Sequence, residues 1–329
     1  MNVQLKLNPG FFVALLFACL NDADRTNPLD PKSGSQNTGS ISGQTLSYYS
    51  PFSTVPGVEI RLEPGPFVKI SDVQGRYVFS DLAVGRYKIR AFKDGYADAL
   101  LDSIQIQLQQ VATIDINLDA LPQMAGSSIT SSHISRWWPQ TDLLLLAANV
   151  RVQDSDGLND IVTVELMIPD LNFIDTLSVT GSPGVFQTQI LESQLPGRNL
   201  QEVLGRQIVI RAKDRAGFSN NSTPQFVVRI IDDVPITLSP QGLETVATTN
   251  PTLQWQAVNQ PYQFSYLVEL YRVDFGINNL VWQSDAIEHT TTETVVPDNL
   301  AAGTYFWTIA IVDEFGNMSR SKEASFQVN

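Results

Sequence analysis

Three aspartates crowd one short segment, residues 154–160, which reads DSDGLND. The segment lies between two alternating apolar runs, so it is predicted to be a loop between strands. Calcium takes about six to eight oxygen ligands, and closely spaced aspartates on a turn supply several of them. The spacing differs from that of the helix-loop-helix calcium loop, and aspartates also cap turns without any metal. The sequence therefore leaves two interpretations, a structural calcium site at Asp154, Asp156 and Asp160 or a plain turn, and it predicts no other cofactor.

Adjacent tryptophans, Trp137 and Trp138, are the second candidate site. Side chains of neighbouring residues on a strand point to opposite faces, so we expect one of the two indoles to be exposed. Sugar rings stack on exposed indoles, which makes the pair a candidate ligand-binding surface, and Trp282 is a similar candidate. The alternative is that each ring packs at the edge of a core or at a domain joint.

Catalytic residue types are scarce in this chain. The two histidines, His133 and His289, fall in different predicted domains, and Cys19 is the only cysteine. A nucleophile activated by histidine needs both residues and a carboxylate close together, and zinc sites need several nitrogen or sulfur ligands. No nucleophile-elbow or zinc-protease motif is present. We therefore predict that the protein is not an enzyme; a hydrolase with two acids flanking a sugar bond is the alternative, and it would need a cleft.

The charge balance excludes one class of partner. The chain has a net charge of −13 and no run of clustered Lys and Arg. Nucleic-acid binding depends on such clusters, because they release counterions from phosphates. We therefore predict no nucleic-acid partner.

An export signal and a lipid anchor are indicated at the start of the chain. The apolar run of residues 11–18 is too short to cross a bilayer and suits a secretory signal, so residues 1–18 are predicted to be a signal peptide. Residues 16–19 (LFAC) resemble the lipobox of bacterial lipoproteins. The resemblance implies that Cys19 carries lipid and anchors the chain to the membrane, at the bacterial outer membrane or cell surface. Residues 19–39 are polar and rich in Asp, Pro, Ser and Asn, which predicts a flexible tether.

Short alternating runs fill residues 40–120 and predict strands that are buried on one face. Residues 71–79 (SDVQGRYVF), 85–89 (GRYKI) and 94–96 (DGY) resemble the carboxypeptidase regulatory-like family, a transthyretin-like sandwich. In that family the module accompanies other domains and is not itself catalytic. The resemblance therefore implies no peptidase activity here.

The middle of the chain, residues 126–232, contains strand-like runs and resembles bacterial immunoglobulin-like domains. The predicted strands are residues 146–152, 162–168, 207–212 and 226–230. The joints on either side, residues 119–125 and 232–240, are short and contain proline, which favours a semi-rigid arrangement.

Residues 235–329 resemble a fibronectin type III domain. Trp255 is the expected early core tryptophan, and Trp307, Ile309 and Ile311 alternate inward along a later strand. A partial repeat links this segment to the middle one, because Asp-x-x-Gly turns begin at Asp214 and Asp313.

These observations predict an all-β protein of three tandem β-sandwich domains: transthyretin-like, immunoglobulin-like and fibronectin type III-like. We expect a non-enzymatic, lipid-anchored surface protein that acts as a spacer and as a protein- or glycan-binding rod. The alternative is a carbohydrate-binding accessory lipoprotein of a polysaccharide-uptake system. Both expectations make the partners a membrane and a surface protein or glycan.

Overall fold

The computed structural model describes residues 38–329. The predicted signal peptide, most of the tether and Cys19 lie outside the described residues. Regular structure in the described part is nearly all strand, with a few short 3-10 turns, so the all-β prediction is confirmed. Within residues 38–329 no helix has the length and apolar character needed to cross a membrane. The chain divides into two compact units, Met1–Asp119 and Ala120–Asn329.

The first unit is a sandwich of two four-stranded sheets. Its strands are β1 (Thr38–Ser47), β2 (Glu59–Glu63), β3 (Phe67–Ile70), β4 (Arg76–Ala83), β5 (Gly85–Phe92), β6 (Ala99–Ile106), β7 (Val111–Thr113) and β8 (Ile116–Leu118). One sheet has the order β4-β1-β7, with β8 also paired to β1, and the other has the order β3-β2-β5-β6. Alternate residues of both sheets, including Ile41, Ile60, Phe79 and Ile89, are buried between them.

The turn before β4 requires glycine at residue 75. Gly75 precedes β4 with a φ of +73°, a conformation that favours glycine. A Cβ at this position would lie 2.7 Å from the carbonyl oxygen of Thr45, too close for any side chain. The turn can therefore pack against β1 only with glycine at residue 75.

The second unit contains two hydrophobic cores. The first includes Leu146, Val150, Leu166 and Ile210. The strands around it are β9 (Gln123–Ile134), β10 (Leu143–Gln153), β11 (Ile161–Ile168), β12 (Phe173–Thr176), β13 (Ser178–Val179), β14 (Val185–Leu191), β15 (Val209–Asp214) and β16 (Ser219–Asn221). This core lies between the strands β14-β10-β9 and the four-stranded sheet β12-β11-β15-β16. The 3-10 turns are Leu158–Asp160, Pro169–Leu171, Glu192–Gln194 and Leu200–Val203.

The second core of this unit is rich in aromatic residues. Trp255, Trp307, Ile309 and Ile311 are all buried in it, as the alternation of these residues predicts. Its strands are β17 (Thr237–Ser239), β18 (Glu244–Val246), β19 (Thr252–Trp255), β20 (Phe264–Asp274), β21 (Ile277–Gln283), β22 (Ile287–Glu288), β23 (Glu293–Val295), β24 (Gly303–Asp313), β25 (Met318–Arg320) and β26 (Ala324–Val328).

One continuous sheet joins the two cores of the second unit, which the sequence does not predict. Strand β25 pairs in parallel with β9, so that Met318, Ser319 and Arg320 lie opposite residues 132–134. The resulting eleven-stranded sheet follows the order β13-β14-β10-β9-β25-β24-β20-β21, with β18, β22 and β26 paired alongside. The two sandwiches therefore share backbone hydrogen bonds in addition to the linker between them.

The predicted strand at residues 226–230 is wrong. Only isolated bridges form there, Leu204 with Val227 and Ile208 with Gln225. The segment is held by Arg229, whose carbonyl oxygen accepts a hydrogen bond from the Ser131 hydroxyl at 2.9 Å. The guanidinium of Arg229 reaches the Asp313 carboxylate of the neighbouring sandwich at 2.7 Å. These contacts tie the segment to β9 and to the last sandwich, so that it forms a joint between the two sandwiches.

Candidate functional site

Both tryptophans of the predicted pair lie on the loop between β9 and β10, and neither is on a strand. The prediction that they point to opposite faces of a strand is therefore wrong. Trp137 is 64% exposed and Trp138 is 84% exposed, so the loop presents two indoles to solvent. Trp282, the third candidate, packs against the aromatic-rich core and is only partly exposed.

Contacts with the neighbouring sandwich fix Trp137. Its indole N–H donates a hydrogen bond to the carbonyl oxygen of Glu323 at 2.7 Å. The Lys322 ammonium lies 4.6 Å from the ring centroid, a cation–π distance. Trp138 has no hydrogen bond or ring contact with any residue of 38–329. The loop therefore holds the Trp137 indole in place and leaves the Trp138 indole exposed to solvent.

A polar network closes the base of this loop. The Asp142 carboxylate lies 2.9 Å from Nε2 of His133 and accepts a hydrogen bond from the Ser135 hydroxyl at 3.0 Å. Burial disfavours the charge of this carboxylate, but the hydrogen bonds from His133 and Ser135 outweigh it and hold the pKa of Asp142 below its ordinary value. Nδ1 of His133 lies 3.2 Å from the carbonyl oxygen of Ile231. Since both ring nitrogens face oxygen acceptors, His133 offers no free base to the Ser135 hydroxyl, and the three residues do not form a nucleophilic triad.

The three predicted aspartates lie on the loop between β10 and β11 and are brought together by it. Gly157 has a φ of +105°, and the 3-10 turn Leu158–Asp160 follows it. The turn carries Asp160 into the protein, where it is 3% exposed. An oxygen of Asp156 and an oxygen of Asp160 lie within 4.8 Å of each other.

Hydrogen bonds account for some of these carboxylate oxygens. One oxygen of Asp154 accepts from the backbone N–H of Asp156 at 2.8 Å, and one oxygen of Asp156 accepts from the backbone N–H of Ala120 at 2.8 Å. The other oxygen of Asp154 and both oxygens of Asp160 are buried without a hydrogen-bond partner. Three carboxylate oxygens of this loop therefore lie buried without a hydrogen-bond donor.

A fourth aspartate, Asp214, lies beside this loop, and the sequence prediction did not include it in the site. It ends β15, lies opposite Ile161 and is 1% exposed. Burial, together with the charges of Asp160, Asp156 and Asp214, raises the pKa of Asp154 to about 6. The Asp-x-x-Gly repeat singles out Asp214, but only the pairing of β11 with β15 brings it to the loop.

A groove of about 840 Å³ lies beside the aromatic-rich core and is not predicted from the sequence. Tyr262, Phe264 and His289 line it, with ring centroids 6.4 Å apart for the first pair and 5.6 Å for the second. The Arg229 guanidinium lies 3.8 Å from the Tyr262 centroid. These rings already pack on one another and on Arg229, so the groove offers less free aromatic surface than Trp138.

No family model matches the chain, and no curated protein matches it. Among solved structures, it is similar to the FN1–FN3 domains of chicken CNTN1, at 12% identity over 84% of this chain and 93% of that one, with a TM-score of 0.32. It is also similar to the fibronectin(III)-like modules of Clostridium thermocellum CbhA, at 11% identity over 63% and 93%, with a TM-score of 0.28. A DUF3823 family protein from Bacteroides ovatus has 15% identity over 58% and 100%, with a TM-score of 0.27. The likeness concerns the β-sandwich fold, and the family resemblances from the sequence stay predictions.

Proposed function

We propose that this chain is a non-enzymatic binding protein of the bacterial surface that contacts a glycan through Trp138. The observation that carries the proposal is an indole 84% exposed on a loop whose neighbouring indole is fixed by a hydrogen bond and a cation. A role as an accessory lipoprotein in polysaccharide uptake would use the same surface.

The free indole favours a ligand with a flat apolar face. Covering a large aromatic side chain removes apolar area from water and contributes on the order of 2 kcal/mol. Trp137 and the Asp142 network already hold the loop in one conformation. Binding of a ligand would therefore cost less conformational entropy than binding to a mobile loop. A sugar ring provides such a face, and its hydroxyls can bond to polar neighbours such as Gln140, which is exposed on the same loop.

We propose no catalytic activity, because the polar residues near the tryptophan loop already make structural contacts. The imidazole of His133 holds the base of the loop through Asp142 and Ile231. The sandwich interiors of the described residues are filled by apolar side chains. Such domains act as spacers as well as binding modules, and the spacer role is part of the proposal.

The lipid anchor is the second part of the proposal. Its support is the sequence of residues 16–19, since Cys19 lies outside the described residues. Acyl chains on the cysteine would hold the chain at a membrane through buried methylene groups, at about 0.8 kcal/mol each.

Glycan arrays probed with the full chain test the ligand surface. We expect the wild type to retain a subset of glycans and Trp138→Ala to lose them, because the free stacking surface is gone. Phe275→Ala is the matched control, since Phe275 is another fully exposed aromatic, on the turn between β20 and β21. A wild type that retains no glycan contradicts the proposal, and so does an equal loss in the Phe275 variant.

A further inference from the structure

Asp160 is a buried carboxylate that no described residue satisfies. It is 3% exposed, and neither of its oxygens has a hydrogen-bond partner. One of these oxygens lies within 4.8 Å of an oxygen of Asp156. Moving a carboxylate out of water is strongly unfavourable unless it is hydrogen-bonded, paired with a cation or bound to a metal. The position of Asp160 therefore calls for a positive charge that the loop itself does not supply.

Basic side chains do not provide that charge. Among residues 38–329, no Lys, Arg or His forms an ion pair with Asp154, Asp156 or Asp160. Arg215 is close along the backbone, since its N–H bonds to the carbonyl oxygen of Asp160, but it is exposed. The loop between β10 and β11, called the acidic loop below, thus holds three carboxylates close together without a paired cation among the described residues.

We propose that Asp154, Asp156 and Asp160 are carboxylate ligands of a calcium ion. All three side chains offer oxygen, which hard cations prefer, and no nitrogen or sulfur ligand belongs to the set, which disfavours zinc. Magnesium keeps a near-ideal octahedral shell and gives up its waters reluctantly, whereas calcium accepts several carboxylates in irregular geometry.

Solvent can reach the proposed site. Asp154 and Ser155 line an open depression of about 440 Å³ together with Gln153 and Leu158. The depression gives the ion an entry path and leaves room for water molecules to complete its coordination. A bound ion would hold together the loop between β10 and β11, and would thereby stabilise this end of the middle sandwich.

Calorimetry and thermal unfolding of the full chain test the site, with calcium chloride alone as the titrant after treatment with EDTA. We expect one calcium ion to bind per chain and the Tm to rise by about 2 °C or more. Asp160→Asn keeps the shape of the side chain and removes its charge, so it should lower calcium affinity at least about tenfold. The same variant should unfold above the wild type in EDTA, because one repelling charge is gone, and below it in calcium.

Two further variants keep the test decisive. Asp156→Asn, at a half-buried position, should repeat the loss of affinity if Asp160→Asn fails to fold. Asp285→Asn, at an exposed aspartate of the last sandwich, should change neither affinity nor Tm. A wild type whose heat and Tm do not respond to calcium overturns the proposal, as does undiminished affinity in both cluster variants. Equal affinity for magnesium chloride would overturn the assignment to calcium.

Discussion

The aspartates that open the two Asp-x-x-Gly turns have the same local role and different neighbours. Each accepts a backbone N–H within its turn, from Phe218 in the case of Asp214 and from Asn317 in the case of Asp313. Both are buried, at 1% and 6% exposure. The charged partner of Asp313 comes from a distant segment, since Arg229 is 84 residues away in the sequence. At the residue scale the sequence therefore predicts the Asp-x-x-Gly turn, whereas the tertiary fold determines which charged residue lies next to its aspartate.

Lipidation is a prediction about one residue, Cys19. We expect radiolabelled palmitate to be incorporated into the chain expressed in a bacterial host and to be lost in Cys19→Ala, because the thiol is the acceptor of the lipid. Membrane fractionation should move the variant from the membrane pellet to the supernatant. Unchanged labelling of Cys19→Ala would contradict the anchor.

Strands with a regular period of two were predictable, and strands defined by a distant partner were not. Residues 146–152 and 162–168 lie within β10 and β11, because burial of one face enforces the alternation. Pairing of β9 with β25 joins segments that are far apart in the sequence, and no local pattern encodes it. The tryptophan loop and Asp214 were missed or misplaced for the same reason, since their positions depend on neighbouring strands.

The joint around Arg229 should contribute measurably to stability. Arg229 pairs with an Asp313 carboxylate whose side chain is fully buried, while Arg229 itself is 24% exposed. Arg229→Ala leaves that charge without its cation and should lower the free energy of unfolding by about 2–3 kcal/mol, slightly less than for a fully buried pair. Chemical denaturation followed by tryptophan fluorescence measures the change.

Arg272→Ala is the matched control for the joint. Arg272 pairs with Asp274 within the same unit, but both side chains are more than a third exposed, at 35% and 38%. Exposed pairs contribute about 0–1 kcal/mol, so this variant should remain close to the wild type. Equal stability of the two variants would show that the joint is not held by the Arg229 pair.

Residues 120–329 form one unit whose two candidate sites lie at opposite ends of β10. The tryptophan loop precedes Leu143 and the acidic loop follows Gln153. An extended strand of this length spans roughly 35 Å, so the two sites cannot share a small ligand. The proposed ion would stabilise the fold at one end, while the indole at the other end contacts the ligand.

Binding without chemical change is the central claim, and mass spectrometry of a retained glycan tests it most directly. The full chain is immobilised, a glycan selected on the array is passed over it, and the bound and eluted glycan are weighed before and after prolonged incubation. We expect retention by the wild type, loss of retention in Trp138→Ala, and an eluted glycan of unchanged mass. Shortened glycan in the eluate, or retention that does not depend on Trp138, would contradict the account.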